Sequence, residues 1–197
     1  MAKLYFKYGA MGSSKTAQAL ITKYNYEEND MQVWLIKPSA DTRDGADIMR
    51  SRIGLQARAE VMTPDMDIYQ CFQNSCAKNC HVVIVDECQF MTPTQIDQLR
   101  AIVDDYDIPV ICYGLRTDFR GELFEGSREL LCWADTIEEI KTICWCGRKA
   151  TFNARVHNGK IVREGEQILL GGNSTYISLC RRHWKSGELG DAPNLND

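Results

Sequence analysis

Small residues run directly into a lysine and a hydroxyl at Gly9-Ala10-Met11-Gly12-Ser13-Ser14-Lys15-Thr16. Such a run lets successive backbone N–H groups turn inward on a polyphosphate, with Lys15 reaching the outer phosphates and the Thr16 hydroxyl set to ligate magnesium. The spacing is that of G-x-x-x-x-G-K-[ST], except that Ser14 stands where the second glycine is expected. A Cβ at the closest approach of backbone to phosphate is expected to cost phosphate affinity. A second group, Asp86-Glu87, ends the run Val82-Val83-Ile84-Val85. There Asp86 would hold magnesium through its water shell, and Glu87 could accept a proton from an attacking hydroxyl or water. The third group is Cys144 and Cys146 with Cys180 and His183. Three thiols and one imidazole in two pairs are the donor set of a closed tetrahedral zinc site, although the C-x-C spacing is tighter than the usual C-x₂-C.

These groups need elements to hold them. Leu4-Tyr5-Phe6 reads as a strand before the phosphate loop, and Ala17-Gln18-Ala19-Leu20-Ile21 as the start of a helix after it. Val33-Trp34-Leu35-Ile36, Val82 to Val85 and Pro109-Val110-Ile111-Cys112-Tyr113-Gly114-Leu115 are short continuous apolar runs, as expected of strands buried on both faces. Thr92-Pro93 opens a helix through Val103, with Thr92 as its cap and Pro93 at the first position. Alternating strands and helices predict a doubly wound, mostly parallel α/β sheet whose ligand crevice lies at the carboxyl ends of the strands. Residues 41–54 are charged and read as an exposed loop, in which an arginine such as Arg43 either meets phosphate or is simply solvated. Residues 66–77 have helical spacing, and their cysteines, with Cys80, read as packing rather than ligands. Residues 137–144 read as a last strand. Between the two zinc pairs, residues 152–156, the turn Asn158-Gly159 and Ile161-Val162 form a hairpin, and residues 164–178 a long loop carrying Gly171-Gly172.

Composition narrows the class. The chain has 197 residues, 44% of them hydrophobic, enough for a real core. A net charge of −4 and basic residues that form no stripe argue against a nucleic-acid partner. Met1-Ala2-Lys3 leads straight into a strand, and no run of about 18 apolar residues spans a membrane, so no membrane partner and a cytoplasmic location are expected. Nine cysteines beside an intracellular type of motif point to thiols and a metal site rather than disulfides.

Taken together, the phosphate loop with Ala10-Met11, Asp86-Glu87-Cys88-Gln89-Phe90, the segment Tyr113-Gly114-Leu115-Arg116-Thr117-Asp118-Phe119-Arg120-Gly121, the two zinc pairs and Gly171-Gly172-Asn173-Ser174-Thr175-Tyr176 resemble the bacterial branch of the cytosolic type II thymidine kinases, from Leu4 to about Trp184. The resemblance implies transfer of the γ-phosphate of ATP to the 5′-hydroxyl of thymidine, with Mg²⁺ and a structural Zn²⁺. It implies an ATP site of Gly9, Ala10, Met11, Gly12, Ser13, Ser14, Lys15, Thr16, Arg43, Asp86 and Gln89. Thr16 and Asp86 would serve magnesium, Glu87 would be the general base, and Cys144, Cys146, Cys180 and His183 would bind zinc. A lasso loop would bring Leu169, Gly171 and Tyr176 over thymidine, with Met11, Phe90, Leu115 and Phe119 as an apolar slot on the other side. It further implies a kinase domain at 1–143, a zinc and lasso domain at 144–190 and a tail at 191–197. A homotetramer inhibited by thymidine triphosphate is also implied. Two other classes stay open from the residues themselves: a phosphate-loop ATPase in which Glu87 orients water, and a zinc-ribbon interaction module.

Overall fold

Parallel strands must be covered on both faces, because each crossover lays a connection against the sheet, and their side chains therefore alternate between two apolar layers rather than between core and water. The computed structural model describes residues 1–40, 47–168 and 175–190 and shows this arrangement. The chain runs β1 (Leu4–Tyr8), α1 (Lys15–Glu27), β2 (Val33–Pro38), β3 (Ile48–Arg50), β4 (Gln56–Arg58), β5 (Glu60–Met62), α2 (Ile68–Asn74), β6 (Val82–Val85), α3 (Pro93–Tyr106), β7 (Val110–Gly114), α4 (Glu125–Trp133) and β8 (Thr136–Glu139). The six-stranded sheet has the order β5-β2-β6-β7-β1-β8, with every pair parallel.

The two layers can be followed residue by residue. Leu4 and Phe6, Trp34 and Ile36, Val83 and Val85, and Val110 and Cys112 pack with Ile68, Phe72, Ile96, Leu99, Ile102 and Leu130 of α2, α3 and α4. Leu35, Val82, Ile84, Ile111 and Tyr113 point the other way, toward Ala19 and Leu20 of α1 and Met49 of β3. Thr92 caps α3 as expected: its hydroxyl accepts from Gln95 N–H at 3.2 Å while the Gln95 side chain accepts from Thr92 N–H. The helix continues to Tyr106, past the expected end at Val103.

Other boundaries differ from the sequence reading for local reasons. The helix expected over 66–77 stops at Ser75, which is extended and whose hydroxyl caps a separate short 3₁₀ turn, Cys76–Asn79. Cys71 and Cys80 do pack in the apolar layer beside α2. The charged 41–54 stretch is not all loop, since Ile48–Arg50 pairs antiparallel with β4 and buries Met49. The expected strand at 137–144 is broken at Ile140, where β8 leaves the sheet. Ile140 N–H donates to Tyr8 C=O at 2.7 Å, and the chain resumes as β9 (Thr142–Ile143).

β9 pairs with β10 (Lys149–Ala150) to begin a smaller unit. There β11 (Phe152–His157) lies between β12 (Lys160–Val162) and β13 (Thr175–Leu179), followed by α5 (Arg181–Ser186). The expected hairpin forms, with Asn158 and Gly159 both at positive φ as a two-residue turn demands. Residues 175–178, read as loop, are strand, because β13 finds the free edge of β11. No helix among the described residues is long and apolar enough to cross a membrane.

Candidate active site and metal centre

The carboxyl ends of β1, β6 and β7 open at one edge of the sheet, and each carries a reactive loop. After β1, Gly9 N–H donates to Gly114 C=O at 3.2 Å, and the loop turns back with Ser13 N–H on Ala10 C=O at 3.2 Å. A Cβ on Gly9 would lie 2.4 Å from Ile140 O, so only glycine fits that turn. The loop curls around the Lys15 ammonium, which lies 3.1 Å from Gly9 O and 3.0 Å from Ala10 O. Ser14 occupies the N-cap of α1 in the left-handed conformation, φ 62°, with an exposed side chain that caps nothing. The departure from the glycine pattern is thus felt in the backbone: the pattern places glycine where positive φ is required.

At the end of β6 the Thr16 hydroxyl donates to Asp86 Oδ2 at 2.8 Å. The other oxygen, Oδ1, is buried and has no hydrogen-bond partner among the described residues. Burial first, and the neighbouring Glu87 second, push the Asp86 carboxyl up to about 7. A buried carboxylate oxygen without a donor is what a cation would satisfy, so the Thr16–Asp86 pair fits a divalent ion with oxygen preference.

Glu87 follows in the left-handed region, φ 50°. Among the described residues, Asp30 and Asp107 also have positive φ just past helix ends, as Asn158 does in its turn; Ser14 and Glu87 are the two that lie at the strand edge. Backbone strain of this kind persists where the surroundings over-determine it. Here Gln89, 2% exposed, does so: its Nε2 donates to Glu87 Oε2 at 2.6 Å and its Oε1 accepts from Leu115 N–H at 2.9 Å. Both ends of its amide thus join β6 to β7. Gly114 leaves room for it, since a Cβ there would lie 2.6 Å from Gln89 Oε1.

The residues expected to line a slot fall on several elements. Leu115 follows β7, and Phe90 meets Phe124 edge to face at 5.6 Å. Phe119 is buried, with the Arg155 guanidinium 3.8 Å above its ring. Tyr176 lies on β13, its hydroxyl accepting from Arg155 Nε at 2.6 Å. Arg43, Leu169 and Gly171 lie outside the described residues. Sequence reasoning missed α4, which backs the site: Ser127 donates to Leu115 C=O at 2.5 Å, and a Cβ on Gly126 would strike Cys88 O at 2.5 Å. It also missed Asp118, buried in the polar loop that follows β7, where it accepts from the backbone N–H groups of Arg120 and Glu122.

The three cysteines and the histidine read as zinc ligands come together in one cluster. Ligand atoms of Cys144, Cys146, Cys180 and His183 all lie within 4.8 Å of one another. Cys144 Sγ is 3.4 Å from His183 Nδ1, and Cys146 Sγ is 4.0 Å from Cys180 Sγ. A tetrahedral ion with bonds of about 2.3 Å to sulfur and 2.0 Å to nitrogen sets its ligand atoms roughly 3.5–3.8 Å apart. His183 turns its other nitrogen, Nε2, toward Glu188 at 3.4 Å and stacks on Trp145 at 4.3 Å, which orients the ring with Nδ1 inward.

The family model described as thymidine kinase matches residues 2–184. The chain is similar to a thymidine kinase of Pasteurella multocida, 48% identical over 187 residues covering 94% of this chain and 97% of that one. It is similar to a thymidine kinase of Legionella pneumophila (strain Lens), 50% identical with 96% and 92% covered, and to one of Enterobacteria phage T4, 49% identical with 93% and 96% covered. A family match along nearly the whole chain, with relatives near half identity over more than nine-tenths of it, means that the chain belongs to the thymidine kinase family.

Proposed function

We propose that the chain transfers the γ-phosphate of ATP to the 5′-hydroxyl of thymidine, giving thymidine monophosphate and ADP. The observation that carries this reading is the Thr16–Asp86 hydrogen bond with the Glu87 carboxylate one residue on, opposite the Lys15 loop. In it, the backbone of 9–16 and Lys15 hold the phosphates, and Glu87 accepts the 5′-hydroxyl proton as the oxygen–phosphorus bond forms and the bond to the ADP oxygen breaks. Magnesium, held by Thr16 and Asp86, supplies charge neutralisation on the phosphates when bound. Gln89 keeps Glu87 turned into the site. Met11, Phe90, Leu115, Phe119 and Tyr176 form the walls of the thymine slot, with Leu169 and Gly171 completing it.

Cys144, Cys146, Cys180 and His183 hold a structural zinc, a reading supported by their spacing and burial. The chain divides into a kinase domain at 1–143, a zinc and lasso domain at 144–190 and a tail at 191–197; the separate apolar cluster around the cysteines supports the middle boundary. We further read the chain as a cytoplasmic homotetramer inhibited by thymidine triphosphate, a reading that only its family membership supports. The test is ATP turnover with and without thymidine: slow turnover that thymidine strongly accelerates is expected. Turnover indifferent to thymidine would leave a phosphate-loop ATPase in which Glu87 orients water.

A further inference from the structure

Strand β11 sends its side chains in two directions. Ala154 and Val156 enter the small core around the metal ligands. Asn153 and Arg155 point the other way and are nonetheless buried, each 4% exposed. On a small three-stranded sheet with one apolar face such residues would be the solvated face; here that face is laid against the phosphate loop and the loop after β7. Burying an amide and a guanidinium costs solvation unless their groups are satisfied, so their partners are informative.

Asn153 Oδ1 accepts from Met11 N–H at 2.8 Å, and its Nδ2 donates to Thr117 C=O at 3.1 Å. Its cross-strand partner on β13 is Ser178, whose hydroxyl donates to Met11 C=O. One cross-strand pair therefore takes both the N–H and the C=O of Met11, in the middle of the phosphate loop. The next pair on the same face is Arg155 with Tyr176. Arg155 stacks on Phe119 and donates from Nε to Tyr176 Oη and from its NH2 group to Gln167 C=O at 3.2 Å. Gln167 in turn donates to Asp118 Oδ2 at 3.2 Å, which anchors the loop that carries Phe119.

We infer that β11 sets the distance between the two halves of the reaction, with Asn153 and Arg155 as positioning residues: Asn153 with Ser178 fixes the phosphate loop, and Arg155 with Tyr176 fixes the wall at Phe119. This rests on the thymidine kinase reading. Two residues along a strand span about 6.6 Å, and a strand stretches little. In-line transfer requires reacting atoms about 3–3.5 Å apart, and a 1 Å misplacement costs on the order of 100-fold in rate. A stiff ruler touching both partners is a physical means to hold that tolerance.

The test is a double dissociation, measured as KM and as calorimetric affinity for ATP and for thymidine, with zinc content and melting temperature as controls. Asn153→Ala and Ser178→Ala each weaken ATP about tenfold, the worth of a lost hydrogen bond, and weaken thymidine, whose slot shares only Met11 with this loop, by no more than about threefold. Arg155→Met weakens thymidine about tenfold and leaves ATP within twofold. Equal weakening of both ligands in each variant, or weakening of neither by more than twofold, overturns the inference. Should Arg155→Met lose its zinc or its fold, Arg155→Lys keeps the charge without the planar stack and must show the same thymidine-side split. A wild-type chain whose turnover ignores thymidine would defeat the kinase reading instead, and ATP affinity in Asn153→Ala would still decide the phosphate-loop half.

Discussion

In the main sheet, Val82 to Val85 are fully buried, as are Leu99 and Ile102 of the helix that covers them. In the C-terminal unit the interior is Ala150, Ala154, Val156, Ile177 and Leu179, completed by Cys144 and Cys180. Full burial of a valine, leucine or isoleucine side chain contributes about 1.5–3 kcal/mol, and alanine far less. The sheet therefore has apolar area to spare, and it can hold Ser14 and Glu87 in left-handed backbone at its edge. The small unit has no such reserve, and two of its core positions, Cys144 and Cys180, belong to the cysteine–histidine cluster, so an ion held there would take the place of apolar burial. On the zinc reading, rigidity at the site has two sources. One is packing; the other would be coordination.

Removing the metal should separate them most sharply. Structural zinc contributes an apparent 10–16 kcal/mol or so to such units. Elemental analysis should find about one zinc per chain, and Cys180→Ser or chelation should release it. Hydrogen exchange should then show β11 to β13 unprotected while β6 and β7 stay protected, with thymidine binding lost. A Cys180→Ser chain that binds thymidine normally would end the idea that coordination organises that side of the site.

Glu87→Gln acts on the other side of the comparison, at an edge held by packing. The amide preserves shape but takes no proton, so kcat should fall by roughly 10²–10⁴-fold, nearer the lower figure because deprotonation is late in a loose phosphoryl transfer. ATP and thymidine affinities should hardly move. Single-turnover activity within about threefold of wild type would remove Glu87 from the proton transfer.

Leu99→Ala probes packing alone. Leu99 is fully buried in the layer between α3 and the sheet, and the substitution should cost about 2–5 kcal/mol, lowering Tm by several degrees with zinc content unchanged. Zinc loss in this variant would mean that the two units unfold as one. The smallest effect is expected from Ser14→Gly. Glycine tolerates the left-handed turn that serine holds under strain, so stability should rise by about 0.5–1 kcal/mol and the KM for ATP should fall while that for thymidine stays constant. An unchanged melting temperature would show that the loop has relaxed around Ser14.

Local chemistry explains why much of this was readable from the chain. Four consecutive β-branched residues before Asp86-Glu87 admit little but a central strand delivering acids to the sheet edge. Gly9 to Thr16 before an apolar helix is a phosphate loop by composition, Thr92-Pro93 with Gln95 is a helix start, and Asn158-Gly159 a two-residue turn; each is fixed by neighbours a few residues away. The two zinc pairs announce their own meeting, because a tetrahedral donor set has one geometry to satisfy. The tertiary structure decided what depends on distant partners. Glu125–Trp133 carries no signal as strong as a cap or a turn, and it is a helix where Gly126 and Ser127 press on the loops behind the site. Residues 175–178 became strand because β11 offered an open edge. Asn153 and Arg155, one residue apart from alanine and valine, look like the wet side of an amphipathic strand. Whether such a face meets water or another surface depends on what the rest of the chain brings there, and here it brings Met11 and Phe119.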